Sequence, residues 1–196
     1  MHNPWFSIWS HPRDTIREVI HHNPRTGFWA LATIYALALS FSTANFYSWG
    51  LDRSFSTVFF PLVLLSPFTG FVWLMFQAFL LRLTGRWLGG RAPAWHIRAA
   101  VAWSRVPFVI ALAVWVVLMG VHAETVFIQN ALGPTTVFVS LVSTGLHVWA
   151  IILLVQLVRE VQGFGVWKAL GNVALAWFLS FVIVTTVATI VRYIII

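Results

Sequence analysis

Five uninterrupted apolar runs of about 20 residues constrain this chain more than any other feature of its sequence. In hydrocarbon the backbone must satisfy its own hydrogen bonds, and a run of this length is what an α-helix needs to cross a bilayer. Strands of a membrane barrel would instead alternate apolar and polar residues over about ten positions. The sequence therefore predicts an all-α integral membrane protein, a bundle of five transmembrane helices at residues 27–50, 57–81, 99–121, 135–158 and 171–196.

The composition agrees with a bilayer environment. Apolar residues make up 60% of the chain and charged residues 9%, whereas an ordinary soluble domain is about 25% charged. The chain has no cysteine, which excludes disulfides, thiolate metal sites and a cysteine nucleophile. The sequence shows no recognisable pattern of catalytic or metal-ligating residues, so no enzymatic activity, metal or cofactor is predicted.

Basic residues are distributed unevenly between the loops. Three lie in the N-terminal segment, four in the second loop and two in the fourth, whereas the first loop has only Arg53 and the third has none. The positive-inside rule then places the N-terminus in the cytoplasm and the C-terminus on the other side of the membrane. We therefore expect a cytoplasmic interfacial segment at residues 1–26 and a five-span membrane domain at residues 27–196.

A short amphipathic helix is predicted before the first span. Ser10 can cap this helix, and Pro12 suits its first turn. Ile16, Val19 and Ile20 fall on one face. Such a helix either lies at the membrane interface or packs against the cytoplasmic ends of the spans, and both can hold together. The residues expected to anchor the segment at the interface are Trp5, Phe6, Trp9, Arg13 and Arg17.

The second loop combines four arginines with two tryptophans and contains no acid. These residue types together suit an anionic membrane surface, where each base near the headgroups is worth about 1 kcal/mol. Alternatively, the bases serve only as positive-inside anchors. Nucleic acid is not expected as a partner, because the loop is short and close to the bilayer. The predicted lipid-binding residues are Arg82, Arg86, Trp87, Arg91, Trp95 and Arg98.

Two of the spans carry residues that affect helix packing. In the second span, Pro61, Pro67 and Gly70 predict a kink or a local break. In the first span, small residues recur every four positions and let another helix approach closely. We therefore expect the first span to be internal or to lie at an oligomer contact. These helix-packing residues are Ala32, Ala36, Ser40 and Ala44.

Ionisable side chains inside the spans are the best functional indicators in a membrane sequence. Arg105 lies about 9 Å into the third span and either snorkels to the interface or is buried and paired with a helix-end carbonyl or with Glu160. His147 falls near the middle of the fourth span and shares one face with Ser140 and Thr144. This polar stripe is predicted to point inward, either to form interhelical hydrogen bonds or as a proton or substrate site.

Four segments of the sequence together resemble a known family. They are residues 3–9 (Asn-Pro-Trp-Phe-Ser-Ile-Trp), 83–90 with its Leu-Thr-Gly and Leu-Gly-Gly, 102–107 (Ala-Trp-Ser-Arg-Val-Pro) and 162–170 (Gln-Gly-Phe-Gly-Val-Trp-Lys-Ala-Leu). Their content and order resemble the bacterial branch of the Yip family, the Ypt/Rab-interacting proteins. The resemblance covers nearly the whole chain. It implies a five-span protein of a bacterial inner membrane with a cytoplasmic N-terminus, in agreement with the charge distribution.

The resemblance also bears on function. Eukaryotic members are linked to Rab GTPases, vesicle trafficking and homo- or hetero-oligomers. This chain lacks the acidic Asp-Leu-Tyr-Gly-Pro-type motif of those members, so the resemblance does not extend to a Rab-type partner. The main prediction is a non-enzymatic membrane scaffold or adaptor, itself a homo-oligomer, that engages membrane or peripheral proteins and anionic lipid. The alternative is a small channel or transporter that acts as an oligomer and could be proton-linked.

Overall fold

The computed structural model describes residues 3–131 and 133–195, and helices dominate both ranges. The predicted all-α membrane protein is confirmed, since four helices are long and apolar enough to cross a membrane and a bent pair, Ala94–Trp103 with Phe108–His122, makes a fifth candidate span. Of the predicted segments, Met1, His2 and Ile196 lie outside the described residues. The helices are α1 (Pro4–Ser7), α2 (Pro12–His22), α3 (Phe28–Phe46), α4 (Phe55–Trp87), α5 (Ala94–Trp103), α6 (Phe108–His122), α7 (Pro134–Gln162) and α8 (Val166–Ile195).

Several helices extend beyond the predicted spans. α4 continues past residue 81 to Trp87, and α7 continues past residue 158 to Gln162. These added turns carry the charged residues at which the apolar runs stop, because a helix can continue after its side chains have become polar. The predicted cap of α2 is also shifted by one residue, since His11 rather than Ser10 occupies the N-cap position.

The third predicted span is interrupted between α5 and α6, which meet at an angle of 41°. Pro107 has no N–H and cannot sit inside a regular helix without freeing a carbonyl. At the interruption the N–H groups of residues 105, 106 and 108 each donate to the carbonyl three residues earlier, at 2.9 to 3.3 Å. These short-range hydrogen bonds satisfy the backbone N–H and carbonyl groups at the interruption without water. It also means that Arg98 and Arg105 do not share one continuous helix.

No break occurs in the second predicted span, contrary to one of the two possibilities given by the sequence. α4 runs through Pro61 and Pro67 without interruption. Pro67 deprives the carbonyl of Val63 of its helical donor, and the hydroxyl of Ser66 donates to that carbonyl instead, at 2.9 Å. A side chain next to the proline thus replaces the missing backbone hydrogen bond.

The chain forms two compact units. The first unit comprises Met1–Thr26, Leu74–Val101 and Leu154–Ile196, and the second comprises Gly27–Trp73 and Ala102–Leu153. Buried hydrogen bonds join α4 to α8 in the first unit. The Thr84 hydroxyl donates to Asn172 Oδ1 at 2.5 Å, and Gln77 Nε2 donates to Ser180 Oγ at 3.0 Å.

In the second unit α3 packs along α6 and against α4. Gly70 of α4 lies so close to α3 that a Cβ there would collide with the Ala32 carbonyl and come within 3.0 Å of the Ala36 Cβ. Ala32, Ala36 and Ala44 are buried, and Ser40 is half-buried. Of the four long apolar helices, α3 is the most buried, with 44% of its span against 17 to 22% in the others.

Loop residues also contact each other within the second unit. Gly50 N–H donates to the Phe127 carbonyl at 3.0 Å, and Asn45 Nδ2 donates to the carbonyls of Val126 and Ile128 at 2.8 and 3.2 Å. The first and third loops therefore lie side by side, as alternating spans require.

The close contact at Gly70 gives a direct test of this packing. Gly70→Ala should lower the thermal unfolding temperature, because overpacking costs about 1–3 kcal/mol while the gain in helix propensity is about 1 kcal/mol. The matched control is Gly145→Ala in α7, where nothing lies within 4 Å of the added Cβ. Circular dichroism of the detergent-solubilised chain measures both. Equal unfolding temperatures for the two variants would contradict the contact.

Candidate functional site

The predicted lipid-binding residues lie in the first unit, from the last turns of α4 to the first turns of α5. Arg86, Trp87 and Arg91 are exposed, and the other three are half-buried. Trp87 exposes 61% of its surface, as suits an indole at a membrane interface. We refer to the six residues as the Arg/Trp surface: Arg82, Arg86, Trp87, Arg91, Trp95 and Arg98.

Gly89 and Gly90 follow the end of α4, and the chain turns back along the helix there. Gly89 has a left-handed backbone with φ of 90°, which L side chains rarely adopt. Its N–H donates to the Arg86 carbonyl at 3.0 Å, and the Gly90 N–H donates to the Gly85 carbonyl at 2.8 Å. This pair of bonds is a Schellman motif. Residues 91–93 are thereby brought next to the last turns of α4.

The turn after α4 packs against the end of α7. A Cβ at Gly90 would collide with Gln162 and lie 2.8 Å from the Phe164 Cζ, so only glycine fits. Gln162 Oε1 also accepts from the Ala92 N–H at 3.4 Å. α7 itself ends in a second Schellman motif at Gly163. Two of the segments on which the family resemblance rests, residues 83–90 and 162–170, are therefore in contact.

A cleft of about 470 Å³ lies at this turn, and we call it the arginine cleft. It presents three guanidinium groups and no acid among its lining residues. The Nε atom of Arg82 is buried and has no hydrogen-bond partner within the described part of the chain. Such a group is an unused donor in a site of strongly positive charge. The lining residues are Arg82, Arg86, Gly89, Gly90, Arg91, Ala92 and Pro93.

Trp95 stacks with two further arginines, which lie outside the cleft lining. The guanidinium carbons of Arg25 and Arg98 lie 4.7 and 4.4 Å from the centroid of the Trp95 indole. Both distances are within the range of cation–π attraction. Arg25 belongs to the N-terminal segment, so this segment adds a base to the Arg/Trp surface.

The N-terminal segment is also fixed by Glu160, near the end of α7. Arg13 Nε and Arg17 Nε donate to the two carboxylate oxygens of Glu160 at 2.8 and 2.7 Å. The Glu160 side chain is only 13% exposed, whereas Arg13 and Arg17 are 43% and 63% exposed. We call this pair of contacts the Glu160 clasp. The sequence allows Glu160 as a partner of Arg105, whereas in the structure it pairs with Arg13 and Arg17.

The pKa of Glu160 reflects this environment. Burial alone would raise the pKa, but hydrogen bonds from Arg17 and Arg13 and their positive charges outweigh burial and lower it below its ordinary value of 4.5. Glu160 lies beyond the predicted span at residues 135–158. A carboxyl with a lowered pKa contributes stability above its unfolded-state pKa and loses it as the pH falls through the lower folded-state value. The clasp therefore stays intact at neutral pH.

The apolar face of α2 lies inside the first unit. Ile16 and Val19 are buried and Ile20 is half-buried. This agrees with packing against the rest of the protein, one of the two arrangements considered for the face. The aromatic anchors are more open, since Phe6 is 75% exposed and Trp5 and Trp9 are half-buried.

Replacing Glu160 should loosen the N-terminal segment. Glu160→Gln should raise the hydrogen-exchange rate of α2 about fivefold, because partly exposed ion pairs contribute up to about 1 kcal/mol. Asp14→Asn is the control, since Asp14 forms only an exposed pair with Arg17 at 3.3 Å. Wild-type exchange, corrected for its intrinsic pH dependence, should approach the Glu160→Gln value only below pH 4.5. Unchanged α2 exchange in Glu160→Gln would show that the clasp does not hold the segment.

The intramembrane candidates lie in the second unit. Arg105 is 8% exposed, and its guanidinium carbon lies 4.7 Å from the centroid of the Tyr35 ring. Tyr35 contacts Phe108 edge to face at 4.8 Å, and Phe108 contacts His147 in the same way at 4.9 Å. Two aromatic rings therefore separate Arg105 from His147. Arg105 is buried and ring-stacked instead of snorkelling.

The polar stripe on α7 is exposed in the single chain, which differs from the inward direction expected from the sequence. Ser140, Thr144 and His147 are all exposed. The two hydroxyls donate to carbonyls of their own helix at 2.8 Å. His147 Nδ1 lies 2.7 Å from the Ser143 carbonyl, which can only accept, so Nδ1 donates to it.

Sequence reasoning missed the contacts that assemble the site from distant segments. Gln162 and Phe164 shape the arginine cleft, but nothing in their local sequence indicates which loop they meet. Glu160 offered one signal, because it is the only acid among the bases flanking the fourth loop. Within the described residues there is no group of three or more His, Asp or Glu side chains placed to hold a metal ion.

Comparison with known proteins gives one match. The family model described as the Yip1 domain matches residues 6–188. No curated protein matches the chain, and no solved structure matches it.

Proposed function

This chain belongs to the Yip1-domain family of membrane proteins, and from that premise we propose that it is a non-enzymatic membrane adaptor. Its working surface is the Arg/Trp surface together with the docked N-terminal segment. This surface engages anionic lipid and presents the protein to membrane or peripheral partners. The observation that carries the proposal is the concentration of arginine and exposed indole at one turn with no acid among the residues that line it.

Electrostatics favours an anionic membrane as the neighbour of this surface. Each base close to anionic headgroups contributes about 1 kcal/mol, and the surface has four arginines. Trp87 can sit at the headgroup level while the arginines meet phosphate oxygens. The Glu160 clasp neutralises part of the charge of Arg13 and Arg17, so the Arg/Trp surface carries most of the unneutralised arginine in this region.

The location we propose is a bacterial inner membrane, with the N-terminus, second loop and fourth loop on the cytoplasmic side. Contacts between the second and fourth loops support this arrangement, because Gln162 accepts from Ala92 N–H. The Glu160 clasp ties the N-terminal segment to the same region. The excess of bases in these three segments then fixes which side is cytoplasmic.

A homo-oligomer is the assembly we propose. The exposed stripe of Ser140, Thr144 and His147 leaves Nε2 of His147 available to a hydrogen-bond partner on a neighbouring helix. Polar side chains in spans commonly form such interhelical hydrogen bonds. The transporter alternative has less support, since the contacts that connect Arg105 with His147 run through the rings of Tyr35 and Phe108.

Removing two surface arginines tests the lipid part of the proposal. Replacing Arg86 and Arg91 together by Gln should weaken retention of phosphatidylglycerol about fivefold for each base removed, since each contributes about 1 kcal/mol. Native mass spectrometry of the full chain measures retention relative to phosphatidylcholine. Arg53→Gln, in the first loop, controls for the loss of a base elsewhere. Unchanged retention in the double variant would leave the bases with a role in orientation only.

Single-cysteine labelling tests the proposed orientation. The chain has no native cysteine, so only the introduced thiol reacts. Cysteines at Ala92 and Lys168 should react with a membrane-impermeant thiol reagent from the cytoplasmic side of sealed vesicles. Cysteines at Ser54 and Ala123 should react only from the opposite side. Reaction of Ala123→Cys together with Ala92→Cys would show that the orientation or the number of spans is wrong.

A further inference from the structure

We propose that the arginine cleft is a discrete binding site for one phosphate monoester, presented to it as the headgroup of a phosphatidate-type lipid. This inference rests on the proposed function, because it assigns a specific ligand to part of the Arg/Trp surface. It goes further in predicting one ligand per chain and a preference for the monoester over other anionic headgroups.

The charge of the cleft matches this ligand. Arg82, Arg86 and Arg91 line one opening whose other lining residues are small and uncharged. A phosphate monoester carries about −1.5 to −2 charges at pH 7 and three acceptor oxygens, whereas a phosphodiester carries a single charge. Three guanidiniums without an internal acid therefore gain more from the monoester. Arginine is also the side chain that recognises phosphate in a bidentate manner.

The lining of the cleft supplies no carboxylate to its arginines. Arg86 and Arg91 are exposed, so their guanidinium groups are accessible to a ligand at the opening. The carbonyls at the end of α4 already accept the Schellman bonds, from Gly89 to Arg86 and from Gly90 to Gly85. A phosphate at the opening would supply the negative charge that the lining lacks.

The cleft is preformed. Its volume of about 470 Å³ lies within the range of small-molecule sites, about 300–1,000 Å³. The Gly89 backbone fixes the turn, Gln162 holds the Ala92 N–H, and Phe164 packs against Gly90. A turn fixed at both sides loses little conformational entropy on binding, which favours a specific site over diffuse attraction.

Arg98 provides a matched control within the same surface. Its guanidinium stacks on Trp95 and is not part of the cleft lining. Diffuse attraction to anionic lipid predicts equal losses when Arg98 or a cleft arginine is replaced by Gln. A discrete site predicts a selective loss for the cleft arginines.

The experiment measures lipid retention by the full chain in native mass spectrometry. Three lipids with the same acyl chains are titrated: phosphatidate, phosphatidylglycerol and phosphatidylcholine. The wild type should retain a single phosphatidate, about fivefold more strongly than phosphatidylglycerol. Arg82→Gln and Arg91→Gln should each lower phosphatidate retention about fivefold more than phosphatidylglycerol retention, which removes the preference. Arg98→Gln should keep the preference. Arg91 is exposed, so its replacement tests the site even if Arg82→Gln disturbs folding.

Soluble competitors distinguish the source of the phosphate. Inorganic phosphate and glycerol 3-phosphate, each at millimolar concentration, should displace phosphatidate only weakly. If either binds as tightly as the lipid, the cleft is still a phosphate site but its ligand is soluble. Equal losses in Arg82→Gln, Arg91→Gln and Arg98→Gln would overturn the discrete site and leave the lipid-binding surface intact. Equal retention of all three lipids by the wild type would overturn both proposals.

Discussion

In the spans, every backbone N–H and carbonyl must find its hydrogen-bond partner within the chain, and the rest of the structure depends on this requirement. In hydrocarbon an unpaired N–H or carbonyl costs several kcal/mol, so helices can stop only where the chain itself supplies partners. The interruption before α6 meets this condition with three-residue hydrogen bonds, and Pro67 meets it through the hydroxyl of Ser66. The ends of α4 and α7 lie beyond the predicted spans, and Schellman motifs at Gly89 and Gly163 supply partners for their last carbonyls as well.

The Schellman motif that ends α4 also shapes the candidate site. Closing the end of α4 through Gly89 and Gly90 returns residues 91–93 to the side of the helix that carries the arginines. The absence of a side chain at Gly90 then lets Gln162 and Phe164 lie against the turn. A larger residue at Gly90 would move the end of α7 away and open the cleft. The same two glycines therefore satisfy the backbone hydrogen bonds at the end of α4 and shape the proposed binding site.

The sequence predicts the spans well, because a continuous apolar run has few other solutions. It predicts the interruption poorly, since Pro61 and Pro67 in α4 look as disruptive as Pro107, and only Pro107 coincides with the break. The arginines of the cleft were also identifiable from their loop. The contacts of Glu160 with Arg13 and of Gln162 with Ala92 were not, because they join segments more than 60 residues apart and depend on how the helices assemble.

Arginine makes up all but one of the twelve basic residues, and the structure shows how this chain accommodates so many with only five acids. The guanidinium is planar and weakly hydrated, so it can stack on an aromatic face where an ammonium group would lose hydration. Aromatic rings therefore take the place of acids for four arginines, and Glu160 serves two more. The arginines of the cleft have neither a ring nor an acid in its lining, which is the basis for proposing an anion from outside the chain as their partner. The pairs are Arg25 and Arg98 with Trp95, Arg53 with Trp49, Arg105 with Tyr35, and Arg13 and Arg17 with Glu160.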